Sequence, residues 1–364
     1  MARAEGAGKG CSMTFVVACG GTGGHVFPGL SVAKELKRRG HTVEVWLSGR
    51  DVETSARRDW DGDVFLTGAR QLSLRELPKL ARSFFRCVGG IKRVRPDALL
   101  AMGSYSSLPP VLAAVVKQVP VVLHEANAVP GKAVEMLSRF AAVTATSFPE
   151  TAKWLPGRKV KFTGLPVREN LVGQPRFEDI PQGAFTIFVT GGSQGARRVN
   201  ELVSQAMCLL KQANVNNFFV IHQCGVADEA RVRAAYEAAQ VPAKVCAFMS
   251  EMGRAYASSD LVICRAGAST CFELCLLGKP SLLIPLPTAM RNHQHLNAAA
   301  MVRSGGADEG VQGELTGRSI MRYVLNKMEN PTALAHMRQA MLSLASPDAA
   351  SRVANEMETV AEQA

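Results

Sequence analysis

Two glycine runs in this chain have the makings of anion sites. Gly20-Gly21-Thr22-Gly23-Gly24-His25 follows the apolar stretch Val16–Cys19, and Gly191-Gly192-Ser193-Gln194-Gly195 follows Ile187–Thr190. Glycines turn the backbone sharply and leave N–H groups facing outward, and a helix that begins there adds partial positive charge. His25 closes the first run, where four glycines leave its ring little packing to serve. His124-Glu125-Ala126-Asn127 ends a buried-strand pattern with three polar side chains, although Asn127 also suits a helix cap. Glu273 lies about one turn into the helix expected after Arg265-Ala266-Gly267. A carboxylate there can accept two hydrogen bonds from vicinal ribose hydroxyls, or simply complement a helix start.

Other spacings are weaker. His293-Gln294-His295 has H-x-H spacing, but a helix splays residues two apart, so hydrogen bonding to a sugar by His293 and Gln294 is preferred over metal binding. Asp59, Asp61 and Asp63 form two D-x-D pairs that suit a divalent metal and diphosphate, yet they precede a strand instead of closing one. A nicotinamide fingerprint from Gly21 would need glycine at Val26, and Leu47-Ser48-Gly49 lacks the ribose-binding acid. No Gly-Lys pair is followed by Ser or Thr, which excludes a Walker A loop. The first run therefore reads as a phosphate or pyrophosphate cradle.

Alternating strand and helix patterns position these residues. Strands are expected at 15–19, 43–47, 64–66, 98–102, 121–124 and 142–146, then at 186–190, 218–223, 244–248, 261–264 and 281–284. Helices are expected between them, among them Gly29–Arg39, Arg197–Gln212, Ser269–Leu277 and Gln294–Ser304, with a helical tail from Pro331. A strand-glycine-helix unit recurs in both halves, and polar Asn170 to Gly183 reads as a crossing between them. Two such sheets facing each other would hold one ligand in the cleft.

With 364 residues, 47% hydrophobic, the chain can fill two cores. Its 9 cysteines show no CxxC pair and suggest a reducing cytosol, and neither a signal peptide nor a membrane span is expected. The whole net charge of +11 lies in residues 1–165, since residues 166–364 carry 18 basic and 18 acidic residues. Nucleic acid or an anionic membrane would each suit that excess. Between Arg70 and Arg95, eight basic residues rim Leu72, Leu74, Leu77, Leu80, Phe84, Phe85 and Val88. This is either an interfacial membrane helix or a basic helix packed on the sheet.

Taken in order, GGTGGHVFPGLSVA (20–33), MGSY (102–105), HEANAVPG (124–131), GLPVR (164–168), GGSQGARRVN (191–200), HQCG (222–225), RAGASTCFE (265–273) and HQHLNA (293–298) resemble the MurG family. Its members add N-acetylglucosamine to undecaprenyl-pyrophosphoryl-muramyl-pentapeptide. The resemblance implies an α/β, GT-B fold of two Rossmann-like parallel-sheet domains facing a central cleft. It places residues 1–165 as the acceptor and membrane-facing domain, 166–346 as the UDP-sugar domain, and a last helix, about 347–364, packing back on the first. It implies inverting transfer from UDP-N-acetylglucosamine to the 4-hydroxyl of the muramyl sugar of lipid I, without metal or other cofactor. Donor contacts carry over to Thr22, Gly23, Gly24, Asn127, Arg168, Ser193, Gln194, Asn200, Met249, Ala268, Ser269, Thr270, Glu273 and Gln294, with His293 beside the last. The first glycine run, His25, Tyr105, His124 and Glu125 would face the acceptor. The implied partners are an anionic cytoplasmic membrane surface and other cell-wall synthesis proteins, with no nucleic acid. The implied location is peripheral, on the cytoplasmic face of the bacterial inner membrane.

Inversion requires one displacement at the anomeric carbon, a base for the acceptor proton and positive dipoles for the departing UDP. His25 is the first candidate for the base and Glu125 the second. Arg168 is expected to help neutralise the diphosphate. Here the family's Gln-Gln pair reads His293-Gln294, and Ala289-Met290-Arg291-Asn292 lacks an acid that many members carry. The alternatives are a GT-B transferase with another acceptor, or a non-enzymatic nucleotide-sugar or nucleic-acid binder.

Overall fold

The computed structural model describes residues 12–50, 53, 59–69, 76–192 and 194–364. Its β-branched and apolar runs form two parallel sheets. The first holds β1 (Thr14–Ala18), β2 (Thr42–Leu47), β3 (Val64–Leu66), β4 (Ala98–Ala101), β5 (Val121–Glu125), β6 (Val143–Thr146) and β7 (Val160–Phe162), in the order β3-β2-β1-β4-β5-β6-β7. The second holds β8 (Phe185–Thr190), β9 (Phe218–Gln223), β10 (Ala243–Cys246), β11 (Leu261–Cys264), β12 (Ser281–Leu283) and β13 (Ala307–Glu309), in the order β10-β9-β8-β11-β12-β13. Phe15, Val16 and Val17, like Ile187, Phe188 and Val189, are fully buried, as strands covered on both faces must be.

Helices α1 (Gly23–Arg38), α2 (Leu77–Val94), α3 (Leu108–Val116) and α4 (Lys132–Leu137) accompany the first sheet. Helices α5 (Arg197–Gln212), α6 (Glu229–Ala238), α7 (Met252–Ser258), α8 (Ala268–Leu277), α9 (His293–Arg303) and α10 (Gly317–Glu329) accompany the second, followed by α11 (Pro331–Ser343) and α12 (Ala349–Glu362). Helix α12 returns to the first sheet. Its Val353, Ala354, Met357 and Val360 join the core around Phe15 and Leu36, and Arg39 donates to Glu358 Oε2 at 2.6 Å.

The strand order reverses beside β1 and beside β8, and each glycine run leaves one of these two strands. In open parallel sheets that reversal opens a crevice beyond the carboxyl ends. Three details differ from the sequence expectation. Helix α1 starts at Gly23, not Gly29, because it accommodates Pro28 by giving up one hydrogen bond to the carbonyl four residues earlier. The strand expected over 244–248 stops at Cys246, and Phe248 is exposed. Strand β13 has no apolar run of its own and exists because the edge of β12 offers a partner.

Candidate active site

The carboxyl ends of both sheets face one cleft. A side chain at Gly24 would come within 3.5 Å of Ser269 Oγ, so the starts of α1 and α8 oppose each other. Asn297, fully buried on α9, spans the two halves. Its Oδ1 accepts from Ala128 N at 2.9 Å, while Nδ2 donates to Asn127 Oδ1 at 3.2 Å and Ala266 O at 3.1 Å. Phe148 and Phe272 meet edge-to-face at 5.0 Å, and Arg291 reaches Glu135 at 2.8 Å.

On the first side, Thr22 Oγ1 lies 2.9 Å from His25 Nδ1. Thr22 is the N-cap of α1 but does not cap the backbone with its side chain. Burial and the nearby Arg50 push the His25 imidazole down to about 4, so at neutral pH it carries a free lone pair. Glu53, absent from the sequence expectations, fills the space beneath this turn. It accepts from Gly21 N at 2.7 Å, Gly49 N at 2.7 Å, Arg50 N at 3.2 Å and the Ser48 hydroxyl. The phosphate cradle expected over the whole first run is thus corrected, since an internal carboxylate already holds the Gly21 N–H. Ser104 and Ser106 hold the Gly20 carbonyl, and half-buried Tyr105 lies between them.

Two acceptor-side expectations are corrected by burial. His124 is sealed under the sheet end with Nε2 3.3 Å from Gly164 O, and desolvation lowers it to about 4. Glu125 is buried too, which pushes its carboxyl up to about 7. Its Oε1 accepts from Asn127 N at 2.8 Å and Asn127 Nδ2 at 3.1 Å, and its Oε2 from Gly131 N at 2.9 Å. Glu125 therefore braces the Asn127–Gly131 loop.

On the other side, Gly192 and Gln194 are exposed, and Gly192 N donates to Thr190 Oγ1 at 3.1 Å. Ser193 lies outside the described residues. Helices α1, α5 and α8 all begin without a side-chain cap and without an acid in the first turn, among the described residues. Ser269 and Thr270 are half-buried at the start of α8, beside the buried Ala268. Glu273 Oε2 accepts from Tyr256 OH at 2.9 Å, and Oε1 pairs with Arg168 at 3.2 Å, whose guanidinium stacks 4.4 Å over Phe27. Arg168 thus stands at the Glu273 site. Met249 packs its side chain in the core, which leaves only its main chain for a nucleotide. Asn200 is fully buried and bonded to Cys224 O and Asp228, so its expected donor contact is corrected. Gln294 Oε1 accepts from Leu286 N at 2.9 Å, its amide N–H groups have no partner among the described residues, and His293 Nδ1 lies 2.8 Å from Met290 O.

The H-x-H pair splays as helical spacing requires, with His295 turned to Glu309 at 2.5 Å. Of the D-x-D stretch, Asp61 pairs with Lys37 at 2.9 Å on the surface. Sequence reasoning missed Glu53, Asn297 and Tyr256. Asn297 lay inside a quoted motif, and Glu53 was readable as the second acid after Ser48-Gly49, behind Asp51; nothing local marked Tyr256.

Residues 15–146 match the glycosyltransferase family 28 N-terminal domain and residues 186–353 the glycosyltransferase family 28 C-terminal domain. The UDP-N-acetylglucosamine--N-acetylmuramyl-(pentapeptide) pyrophosphoryl-undecaprenol N-acetylglucosamine transferase of Pelobacter propionicus is 34% identical, over 95% of this chain and 99% of its own length. The protein of the same name from Cupriavidus pinatubonensis is 37% identical, over 94% and 96%. The crystal structure of Acinetobacter baumannii MurG superposes with a TM-score of 0.76 at 30% identity, covering 96% of this chain and 100% of that one.

Proposed function

Since the chain belongs to the MurG family within glycosyltransferase family 28, we propose that this cleft carries out the family reaction. N-acetylglucosamine passes from UDP-N-acetylglucosamine to the 4-hydroxyl of the muramyl sugar of lipid I, with inversion, and lipid II results. One observation carries the site-level reading. The starts of α5 and α8, uncapped and without acids in their first turns among the described residues, form an electropositive seat for a diphosphate.

In this reading the donor lies against Gln194 and Ser193 of the second glycine run and Ala268, Ser269 and Thr270 of α8. Glu273 holds the ribose, and Gln294 and His293 hold the sugar. Thr22, Gly23, Gly24 and Asn127 contact the donor from the first domain, where the glycine run also borders the acceptor, and Tyr105 lines the acceptor side. His25 Nε2 takes the 4-hydroxyl proton as the acceptor oxygen bonds to the anomeric carbon and the bond to UDP breaks. The starts of α5 and α8 stabilise the charge left on UDP. Residues 1–165 make the acceptor domain and 166–346 the donor domain.

Among the described residues no helix is long and apolar enough to cross a membrane. We place the protein peripherally on the anionic cytoplasmic leaflet. Helix α2 packs Cys87 and Ile91 inward yet leaves Phe85 71% exposed among Arg82, Arg86 and Lys92, which supports docking by this face. Residues 70–75 of the basic-apolar stretch lie outside the described ones. Equal binding to neutral and anionic vesicles would argue against the docking.

The test is transfer of radiolabel from UDP-N-acetylglucosamine to a lipid I analogue with EDTA present. Labelled lipid product supports the reading. Nucleotide-sugar binding without product would move the acceptor to another glycolipid.

A further inference from the structure

Beneath the second glycine run lies a buried polar chain that the transfer step does not use. His222, at the end of β9, is fully buried, with Nδ1 2.9 Å from Tyr236 OH on α6 and Nε2 3.1 Å from Asn200 Oδ1 on α5. Asn200 Nδ2 sits 2.8 Å from Cys224 O and 2.8 Å from Asp228 Oδ2. Both of those partners only accept, so the nitrogen of the Asn200 amide faces them and its oxygen faces His222. His222 Nε2 must then carry the proton. Burial lowers this imidazole to about 3, so it is neutral, and Nδ1 accepts from the Tyr236 hydroxyl. Every donor and acceptor in the chain is assigned, and a single tautomer satisfies them all.

The far end of the chain touches the glycine run. Gly195, at φ +76°, passes so close that a Cβ would fall 2.0 Å from Cys224 O. Gly225, at φ +83°, would place its own Cβ 2.3 Å from Gln194 O. The sheet holds this corner by its N–H groups, since Cys224 N donates to Cys246 O and Gly225 N to Ala247 O, both at 3.0 Å. Asn200 holds the same corner by a carbonyl and also sits in the first turns of α5. A shift of Cys224–Gly225 cannot occur without displacing Gln194–Gly195.

We propose that Tyr236, His222 and Asn200 form a positioning relay that sets the height of the second glycine run and so tunes the enzyme for the donor's diphosphate, not for its base. The proposal rests on the donor assignment above. Its signature is an affinity ratio. Uridine, which lacks phosphate, reports the base and ribose site at α8, whereas UDP reports both that site and the glycine run.

Calorimetry with uridine and UDP on the full chain, wild type against Asn200→Asp and Tyr236→Phe, tests it. Asn200→Asp replaces the donating nitrogen with an oxygen that repels Cys224 O and Asp228. Binding of UDP should weaken by about tenfold, the worth of one charge-assisted hydrogen bond, with uridine unchanged. Tyr236→Phe removes one hydroxyl and frees the tautomer, for a loss of roughly threefold confined to UDP. Equal weakening of uridine and UDP, or none, would overturn the relay. If Asn200→Asp fails to fold, Tyr236→Phe decides alone by the same ratio. Failure of wild type to bind either ligand would instead overturn the donor assignment.

Discussion

The two glycine runs leave equivalent strands, at the same reversal of strand order, yet their surroundings give them different chemistry. The first is filled from within: Glu53 takes the Gly21 N–H, and the Thr22 hydroxyl is spent on the His25 ring instead of the helix backbone. The second has no carboxylate on its own N–H groups among the described residues and is braced from below by the Asn200 amide, which leaves Gly192 and Gln194 exposed. A strand-glycine-helix unit is thus a general anion seat that its neighbours either occupy or keep vacant. In the proposed reaction one copy presents a base and the other receives a diphosphate.

The sharpest way to break this contrast is His25→Ala. A lost general base should lower kcat by about 10²–10⁴-fold with donor KM nearly unchanged; full transfer activity would remove the base from the first run. Next comes Glu273→Ala on the opposite side. The loss of two hydrogen bonds to a carboxylate should raise donor KM by roughly 10–100-fold while acceptor KM holds, and equal movement of both constants would detach Glu273 from the ribose. Glu53→Ala tests the filled run. It leaves Gly21 and Gly49 N–H groups without a partner, for a stability loss of about 1–3 kcal/mol in urea denaturation, and an unchanged midpoint would show that water replaces the carboxylate.

The smallest effects are in pH. With His25 lowered to about 4, the acid limb of kcat/KM should fall well below the ordinary histidine range. A limb near 7 would return the base role to Glu125, whose carboxyl lies there. Stability follows from the buried groups. His25, His124 and His222 stay neutral in the fold, so below about 6.5 the unfolded chain binds more protons at these sites and stability falls with pH. Glu125, raised to about 7, acts in the opposite sense: between about 4.5 and 7 the fold keeps its proton and loses stability as pH rises. Three histidines against one glutamate leave a net uptake of about two protons on unfolding between pH 4.5 and 6.5. Melting temperatures should therefore decline on acidification across that window, and Glu125→Gln should steepen the decline.

Much of this was legible in the chain. The strand runs Phe218–Gln223 and Leu261–Cys264 and helices such as Arg197–Gln212 follow from local hydrophobic pattern, and the glycine turns from their spacing. The start of α1 was not legible, because Pro28 reads as a boundary when seen alone. His124, Glu125 and Asn200 read as site residues because polar side chains at strand and helix ends favour ligands on average. Whether each faces a cleft or a neighbouring loop depends on segments up to 40 residues away.

The amino-acid sequence by itself determined the two sheets, their alternating helices and the two anion-seeking turns, since these depend on period, β-branching and glycine at short range. Only the tertiary structure decided which turn is vacant, which histidine keeps a usable lone pair and which carboxylates are spent on the protein itself. Those outcomes depend on which donor reaches which acceptor, as Glu53 reaches Gly21 and Asn297 reaches Ala128, and such encounters are made by the packing of distant segments.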